Sequence, residues 1–315
     1  MLIVSMVSYL FTGLYDHLEG SSGMQVEVNS REVKVTHPDK VLFPGDDITK
    51  GELVDYFRNV ADVMVPLVRD RPLTMQRFTD GVDKPGFFQK EAPYYLPEWI
   101  RTVTFELKAG RKQRQILCND AATLAWIANQ DCITQHVWLS RADRLDYPDM
   151  VIFDLDPPED DFDIVRFAAR VIQAKLQDMD MPAFVMTTGS RGLHVVSPLD
   201  RSADFATVRA WARDLAEKLA WSIPDSFTTE LSKEKRGRRL FIDYTRNAFG
   251  QTKVAPYTVR PKSGAPVATP VEWAELDHIN SRTYNVRNVL KQVADKGDPW
   301  KSMQKYATSL KPIKK

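Results

Sequence analysis

Two carboxylates one residue apart, Asp154 and Asp156, close an apolar run in the stretch DMVIFDLDPPEDD, residues 149–161. Met150, Val151, Ile152 and Phe153 read as a buried strand, and alternate strand residues share a face, so the two acids converge. Like charges held together raise each other's pKa unless something positive lies between them. Two other stretches carry matching chemistry. TTGSRGLHV, residues 187–195, is a glycine-bracketed turn between strands that offers Ser190, Arg191 and His194. LFID, residues 240–243, is another apolar strand that ends in a carboxylate, Asp243. Three carboxylates on neighbouring strands are hard oxygen ligands suited to Mg²⁺ or Mn²⁺. Two such ions, about 3.5–4 Å apart, can hold the attacking and leaving oxygens of a phosphoryl transfer. The glycines let backbone N–H groups approach phosphate oxygens, and Ser, Arg and His donate hydrogen bonds to the same charge. Each stretch alone has a plainer reading: a solvated strand end, a tight turn, an ordinary hydrogen-bonded histidine. Their order and spacing together are far more specific than any one and point to metal-assisted phosphoryl transfer.

These groups need a scaffold, and the chain has the length for one. Its 315 residues can bury a sizeable core, with 43% hydrophobic and 27% charged residues and no repeat or low-complexity tract. The formal charge is only +1, so a polyanion must be met by local basic patches. Cys118 and Cys132 lack metal-site spacing and read as reduced, half-buried thiols, which excludes a disulfide scaffold. Residues 1–24 read as a leader, disordered or a start-site artefact, with Met24 as an alternative start; the apolar run is too short to span a bilayer.

VEVNSREVKVTH alternates and reads as a strand or hairpin. Thr49 and Glu52 have capping-box spacing before apolar residues at helical intervals, Leu53, Tyr56, Phe57, Val60, Met64 and Leu67. Residues 72–97, rich in proline, glycine and aromatics, read as a binding loop. Then come a helix over 120–131, a strand near His136, strand 150–156, helix 161–179, strands 183–188 and 193–197, helix 204–220, the strand ending at Asp243, and a helix near 284–296. Residues 301–315 form a basic tail whose end, KPIKK, reads as solvated. Residues 25–145 form a smaller mixed lobe and 146–300 a sheet backed by helices, an α+β arrangement; no G-x-G-x-x-G follows any strand, so it is not a dinucleotide-binding fold.

FDLDP, SRGLH, FIDYTRN and KVAPYTVR together resemble the polymerase domain of bacterial and archaeal ligase D, the non-homologous end-joining polymerase of the archaeo-eukaryotic primase superfamily. The resemblance covers roughly residues 30–300. It implies a single primase-polymerase domain over residues 25–300, with an RRM-like sheet backed by helices, here stand-alone. Asp154, Asp156 and Asp243 would be the metal-binding, catalytic carboxylates of a two-ion Mn²⁺ or Mg²⁺ site. Ser190, His194 and Arg260 would contact the incoming triphosphate, with Lys253 and Arg191 as further candidates and His136 near the nucleotide sugar. Phe87 and Phe88 would pack against the templating base and the incoming nucleotide. Lys40 and Lys50 would hold a 5′-phosphate. SKEKRGRR, residues 232–239, would form a mobile loop that meets DNA, chiefly through Lys233 and Arg236. The implied partners are broken or gapped DNA with a 5′-phosphate, an NTP or dNTP, Ku and a separate ATP-dependent ligase. The implied setting is the cytoplasm of a prokaryote, beside the nucleoid and away from membranes, and the implied chemistry leans towards ribonucleotides.

Two rivals remain at this level. A haloacid-dehalogenase-like phosphatase also carries D-x-D, although there the first Asp is a nucleophile and a later strand adds a paired acidic motif, where this chain has Asp243 alone. A non-catalytic DNA-end binding protein would have no need of three carboxylates, which repel phosphate unless cations neutralise them.

Overall fold

The computed structural model describes residues 23–28, 30–107, 110–159 and 161–313. The leader lies outside this set apart from Gly23 and Met24, which open the first strand. Strands β1 (Gly23–Val28) and β2 (Arg31–Thr36) form the hairpin that the alternation predicts, with the valines inward. A small pair follows, β3 (Val41–Phe43) and β4 (Ile48–Thr49). Helix α1 (Lys50–Asn59) starts at the expected capping box: Thr49 accepts from the Glu52 N–H while the Glu52 carboxylate accepts from the Thr49 N–H. The predicted apolar run does not continue as one helix. It breaks at Val60, and α2 (Ala61–Val68) carries Met64 into the core.

Residues 72–97 are not one loop. Pro72–Arg77 is β5, mostly buried between neighbours, and Phe87–Gln89 is β6, paired to its end. Proline opens β5, where its missing N–H is tolerated. Next come β7 (Thr102–Glu106), β8 (Lys112–Leu117), α3 (Ala121–Asn129) and β9 (Cys132–Trp138). Helix α3 is buried on nearly every side and Asp120 caps it, which explains its near-continuous apolar sequence. Cys118 and Cys132 flank it, free and fully buried rather than half-buried.

The second lobe begins with β10 (Met150–Asp156), α4 (Phe162–Asp178), β11 (Phe184–Thr187), β12 (Leu193–Pro198) and α5 (Phe205–Ser222). It continues with β13 (Phe227–Thr228), α6 (Lys233–Arg236), β14 (Leu240–Asp243), β15 (Thr252–Val254), β16 (Pro270–Val271) and α7 (Val289–Lys296). One six-stranded sheet has the order β13-β14-β10-β12-β11-β16, so β10 lies centrally, antiparallel to both neighbours. The other sheet runs β15-β9-β5-β8-β7 with β6 on β5. Strand β15 therefore crosses from the second lobe into the first lobe's sheet, and the boundary at residue 145 is not a clean division.

The tail is docked rather than solvated over its described part. Trp300 and Met303 are buried, Thr308 bridges to Leu199, and the indole N–H of Trp211 donates to the Lys311 carbonyl at 2.7 Å. Its apolar residues, including Leu310 and Ile313, pack on the core, which outweighs the solvation of its lysines. The last helix is shorter than expected because Asn285 and Asn288 shape a turn before it. No helix among the described residues is long and apolar enough to cross a membrane.

Candidate active site

The central position of β10 places the acids. In register, Asp154 stands opposite His194 on β12 and opposite Asp243 on β14. Asp154, Asp156 and Asp243 each offer a carboxylate oxygen within 4.8 Å of the others. Asn247 holds the strand beneath them: its side-chain amide donates to the Ile152 carbonyl at 2.7 Å and accepts from the Ile152 N–H at 2.9 Å, as a strand neighbour would. Asp243 is oriented by Thr245, whose N–H and hydroxyl both donate to Oδ1, at 2.7 and 2.5 Å.

Crowding shows in the protonation. Burial, then the charges of Asp154 and Asp243, push Asp156 up to about 6. Burial would raise Asp154 too, but His194, whose Nε2 lies 3.3 Å from Asp154 Oδ1, outweighs it with Arg246 and Arg260 and holds that carboxyl below the usual range. Three hard oxygen donors, one of them raised by burial and like charge so that a cation beside it is favoured, fit a divalent cation in both ligand type and charge.

The turn between β11 and β12 closes the other side. Gly189 has φ +64°, and a Cβ at Gly192 would sit 1.9 Å from the Leu155 carbonyl oxygen, so glycine is needed for the turn to lie against β10. Arg260 reaches the same turn, its Nη1 donating to the Thr188 carbonyl at 2.6 Å while Nε has no partner. Burial lowers the Arg260 pKa, and Asp154 and Asp156 oppose that shift. Ser190 sits half-buried at the turn, its carbonyl accepting from Arg282 Nε at 2.7 Å, and Arg191 is exposed with its charge felt by Asp156. His136, on β9, faces this centre from the other sheet. Its Nε2 is 3.3 Å from Gln76 Oε1, and burial with the charges of Arg260, Arg246 and His194 lowers it to about 3, so it is a neutral hydrogen-bonding group at neutral pH. The Phe88 ring meets it edge-on at 5.3 Å. Phe87 and Phe88 are 46% and 59% exposed, so neither is core, because β6 is short and uncovered.

Lys253 does not join this group. Its side chain is buried, with Nζ 5.3 Å from the Trp300 ring centre, and burial lowers it to about 7, helped by Arg71 and opposed by Asp149. Strand alternation on β15 turns Lys253 away from the face of its neighbour Val254, which pairs with His136. Lys40 and Lys50 do meet. Both ammonium groups lie 2.9 Å from Asp131, and with His37, Arg77 and Asn129 they line a cavity of 490 Å³. The basic stretch 232–239 differs from expectation: it forms the short helix α6, and Arg236 is spent on the Glu230 and Leu231 carbonyls and stacks at 3.7 Å over Phe241. Arg239 likewise binds backbone carbonyls, which leaves Lys233, Lys235 and Arg238 as the exposed basic residues, with Glu234 exposed among them.

One residue escaped the sequence reading. Arg246 Nε lies 3.3 Å from Asp243 and 3.6 Å from Asp154, brought back by a 3₁₀ turn over Thr245–Asn247. An arginine three positions after a strand-end Asp was the available signal.

Over residues 49–300 the sequence matches the family described as LigD, primase-polymerase domain. The chain belongs to that family. It is 34% identical over 281 residues to the multifunctional non-homologous end joining DNA repair protein LigD of Mycobacterium tuberculosis, covering 86% of this chain and 37% of that protein. The bifunctional non-homologous end joining protein LigD of Bacillus subtilis is 28% identical over 280 residues, 86% of this chain and 45% of its own length. The chain thus spans little more than a third of the mycobacterial relative. Among solved structures, the polymerase domain from M. tuberculosis ligase D, in complex with DNA, superposes with a TM-score of 0.82 at 31% identity, over 87% of this chain and 99% of that one. Membership in the LigD primase-polymerase family removes the phosphatase rival and makes the acidic cluster part of a polymerase-type domain.

Proposed function

We propose that this protein adds nucleotides to a DNA 3′-OH during gap filling and end joining of double-strand breaks. The observation that carries the reading is the convergence of Asp154, Asp156 and Asp243 against the Gly189–Gly192 turn. The carboxylates would hold two divalent ions, Mn²⁺ or Mg²⁺, which supply activation of the 3′-OH and neutralisation of developing phosphoryl charge. The protein's own groups do the rest. The free donors of Arg260, with Ser190, Arg191 and His194, bind the triphosphate of an NTP or dNTP, and His136 meets the sugar as a neutral imidazole. Phe87 and Phe88 stack on bases, worth about 1–3 kcal/mol per base whatever the sequence. The Lys40–Lys50 cavity takes a downstream 5′-phosphate, and the α1 N-terminus beside Lys50 adds a favourable dipole. Lys233, rather than Arg236, contacts DNA from α6. The setting that fits is a prokaryotic cytoplasm, with Ku and an ATP-dependent ligase activity completing repair.

The test is extension of a labelled primer on gapped, 5′-phosphorylated DNA, with ribo- and deoxynucleotides and with each metal compared. Metal-dependent extension by the wild-type protein and none by Asp154→Ala supports the reading. DNA binding without extension under every condition overturns it in favour of a non-catalytic end binder.

A further inference from the structure

Beside the Lys40–Lys50 cavity the chain exposes an aromatic ladder whose tyrosines the nucleotidyl-transfer reading leaves without a role. Arg77 is its centre. Its guanidinium lines the cavity, is fixed by the Gln130 carbonyl (Nε, 2.6 Å) and Gln89 Oε1 (Nη1, 2.7 Å), and lies 5.5 Å from the Phe87 ring centre. On the far side Nη1 reaches the Tyr95 hydroxyl at 3.4 Å, and Tyr95 meets Tyr94 edge-on at 5.2 Å. Tyr94 is 96% exposed, the most exposed large hydrophobic side chain among the described residues.

This exposure is not that of a loose loop tip. Ala92 is buried and its N–H donates to the Arg114 carbonyl at 2.7 Å, while Arg114 Nη2 donates to the Pro93 carbonyl at 3.2 Å. Tyr95 is half-exposed against Trp126 of α3, and Ile100 anchors the far end in the core. A rigid rung that keeps a tyrosine almost wholly in water forgoes burial, so its ring is presented to something. Arg77 and Arg114 flank the two tyrosines with positive charge, and the ladder is continuous through Arg77 with the phosphate cavity. Alternating cations and open ring faces match unpaired nucleic acid, whose bases stack while its phosphates seek the arginines.

We infer that Tyr94 and Tyr95 form a stacking platform for unpaired bases next to the recessed 5′-phosphate of a broken end, that is, for a 3′ single-stranded overhang. This rests on the reading of the Lys40–Lys50 cavity as a 5′-phosphate site. The overhang leaves the duplex where that phosphate is held and passes Arg77 to reach the tyrosines. Stacking on a bare ring is indifferent to base identity, so the platform would grip any overhang.

The experiment titrates labelled duplexes into the full chain. They are blunt or carry a six-nucleotide 3′ overhang, normal or abasic, each with a 5′-phosphate or a 5′-OH. The wild-type protein should gain affinity from a normal overhang and little from an abasic one of equal charge. Tyr94→Ala should lose about tenfold of that gain, Tyr94→Phe should retain it, and blunt-end binding should be the same in all three. Tyr94→Ala equal to wild type on the normal overhang, or an abasic overhang binding as well as a normal one, overturns the platform. The two readings fail separately. Loss of the 5′-phosphate effect with a surviving Tyr94-dependent overhang gain removes the phosphate cavity alone. A persistent phosphate effect with no Tyr94 dependence removes the platform alone.

Discussion

The acidic centre on β10 and β14 and the basic cavity beneath α1 are both clusters of buried charge, and they are balanced in opposite ways. In the cavity two lysines share Asp131, each 2.9 Å from it, so opposite charges nearly satisfy one another within the protein. In the acidic centre three carboxylates crowd together, answered at close range by His194 and the half-exposed Arg246 and from further off by Arg260 and Arg191. The first cluster can be stable empty, and a phosphate entering it must compete with Asp131. In the second the repulsion is not fully answered, since burial and the charges of Asp154 and Asp243 still raise Asp156 to about 6. A carboxylate raised in this way is relieved when a cation binds beside it. The difference separates chemistry from recognition: removing a carboxylate should abolish activity, while removing a lysine should cost affinity and stability.

The largest expected effect tests the first half of that contrast. Asp154→Ala and Asp156→Ala should each reduce primer extension about 10²-fold or more, the scale set by loss of a single preorganised charge-stabilising group. Because burial and like charges raise Asp156, Asp156→Ala should not lower the melting temperature measured without metal and Asp156→Asn should raise it, whereas Asp154→Ala, which takes a partner from His194 and Arg246, should lower it modestly. Near-wild-type extension by either variant, or a marked loss of stability in Asp156→Ala, would mean that the acids brace the sheet rather than serve the reaction.

Next in size is the response to cations. Mn²⁺ at about 100 times its Kd stabilises the folded state by about 2.7 kcal/mol if it binds only that state. A clear rise in melting temperature is therefore expected for the wild-type protein and should be absent in Asp156→Asn. Arg246→Gln should lower the melting temperature without metal, since Asp154 and Asp243 lose their nearest arginine, and should enlarge the Mn²⁺-induced rise. An unchanged Mn²⁺ response in Arg246→Gln would show that the arginine does not compete with the ions.

The cavity predicts something smaller and two-sided. Lys50→Ala should destabilise by about 1–3 kcal/mol, because the buried Asp131 loses a charged partner. Lys40→Ala, at the more exposed position, should cost little. The double variant should bind 5′-phosphorylated and 5′-hydroxyl gapped DNA equally, while extending a simple primer–template. Equal affinity of the wild-type protein for both DNAs would dismiss the phosphate assignment and leave the three charges as an internal ion-pair cluster.

These contrasts bear on what the sequence could disclose. Strand 150–156 and its two acids were legible because an apolar run followed by D-x-D has one simple geometry, and the family motifs supplied the partners Asp243 and His194. The hairpin at 23–36 and the capping box at Thr49 were legible for the same local reasons. What failed was non-local. Residues 72–77 look like loop from their composition, yet pairing on both sides makes them a central strand. Arg236 reads as a free cation, but it is consumed by carbonyls that only the folded chain brings near. The docking of the tail on α5 depends on long-range packing that no spacing rule encodes, whereas the i,i+3 return of Arg246 to Asp243 is local and was open to a spacing argument.

Lys253 gives the smallest effect and the sharpest control, since it is a buried lysine in neither cluster and its nearest ring is Trp300. Lys253→Met should leave nucleotide use unchanged, where a triphosphate ligand would raise the KM for nucleotide. Its signature should instead be a pH-dependent stability. Burial lowers the lysine from 10.5 to about 7 in the folded protein. Between those values the unfolded chain holds a proton that the folded chain lacks, so this group makes stability rise with pH, by at most about 1.4 kcal/mol per unit. Below about pH 7 both states are protonated and the full desolvation penalty applies. Lys253→Met should therefore gain most over the wild-type protein near pH 6, with an advantage that shrinks as pH climbs towards 10. Thermal melts of both proteins across that range decide it. A constant difference would mean that the lysine stays charged in the folded state, with Asp149 supplying the compensation that its distance from the acidic centre denies it.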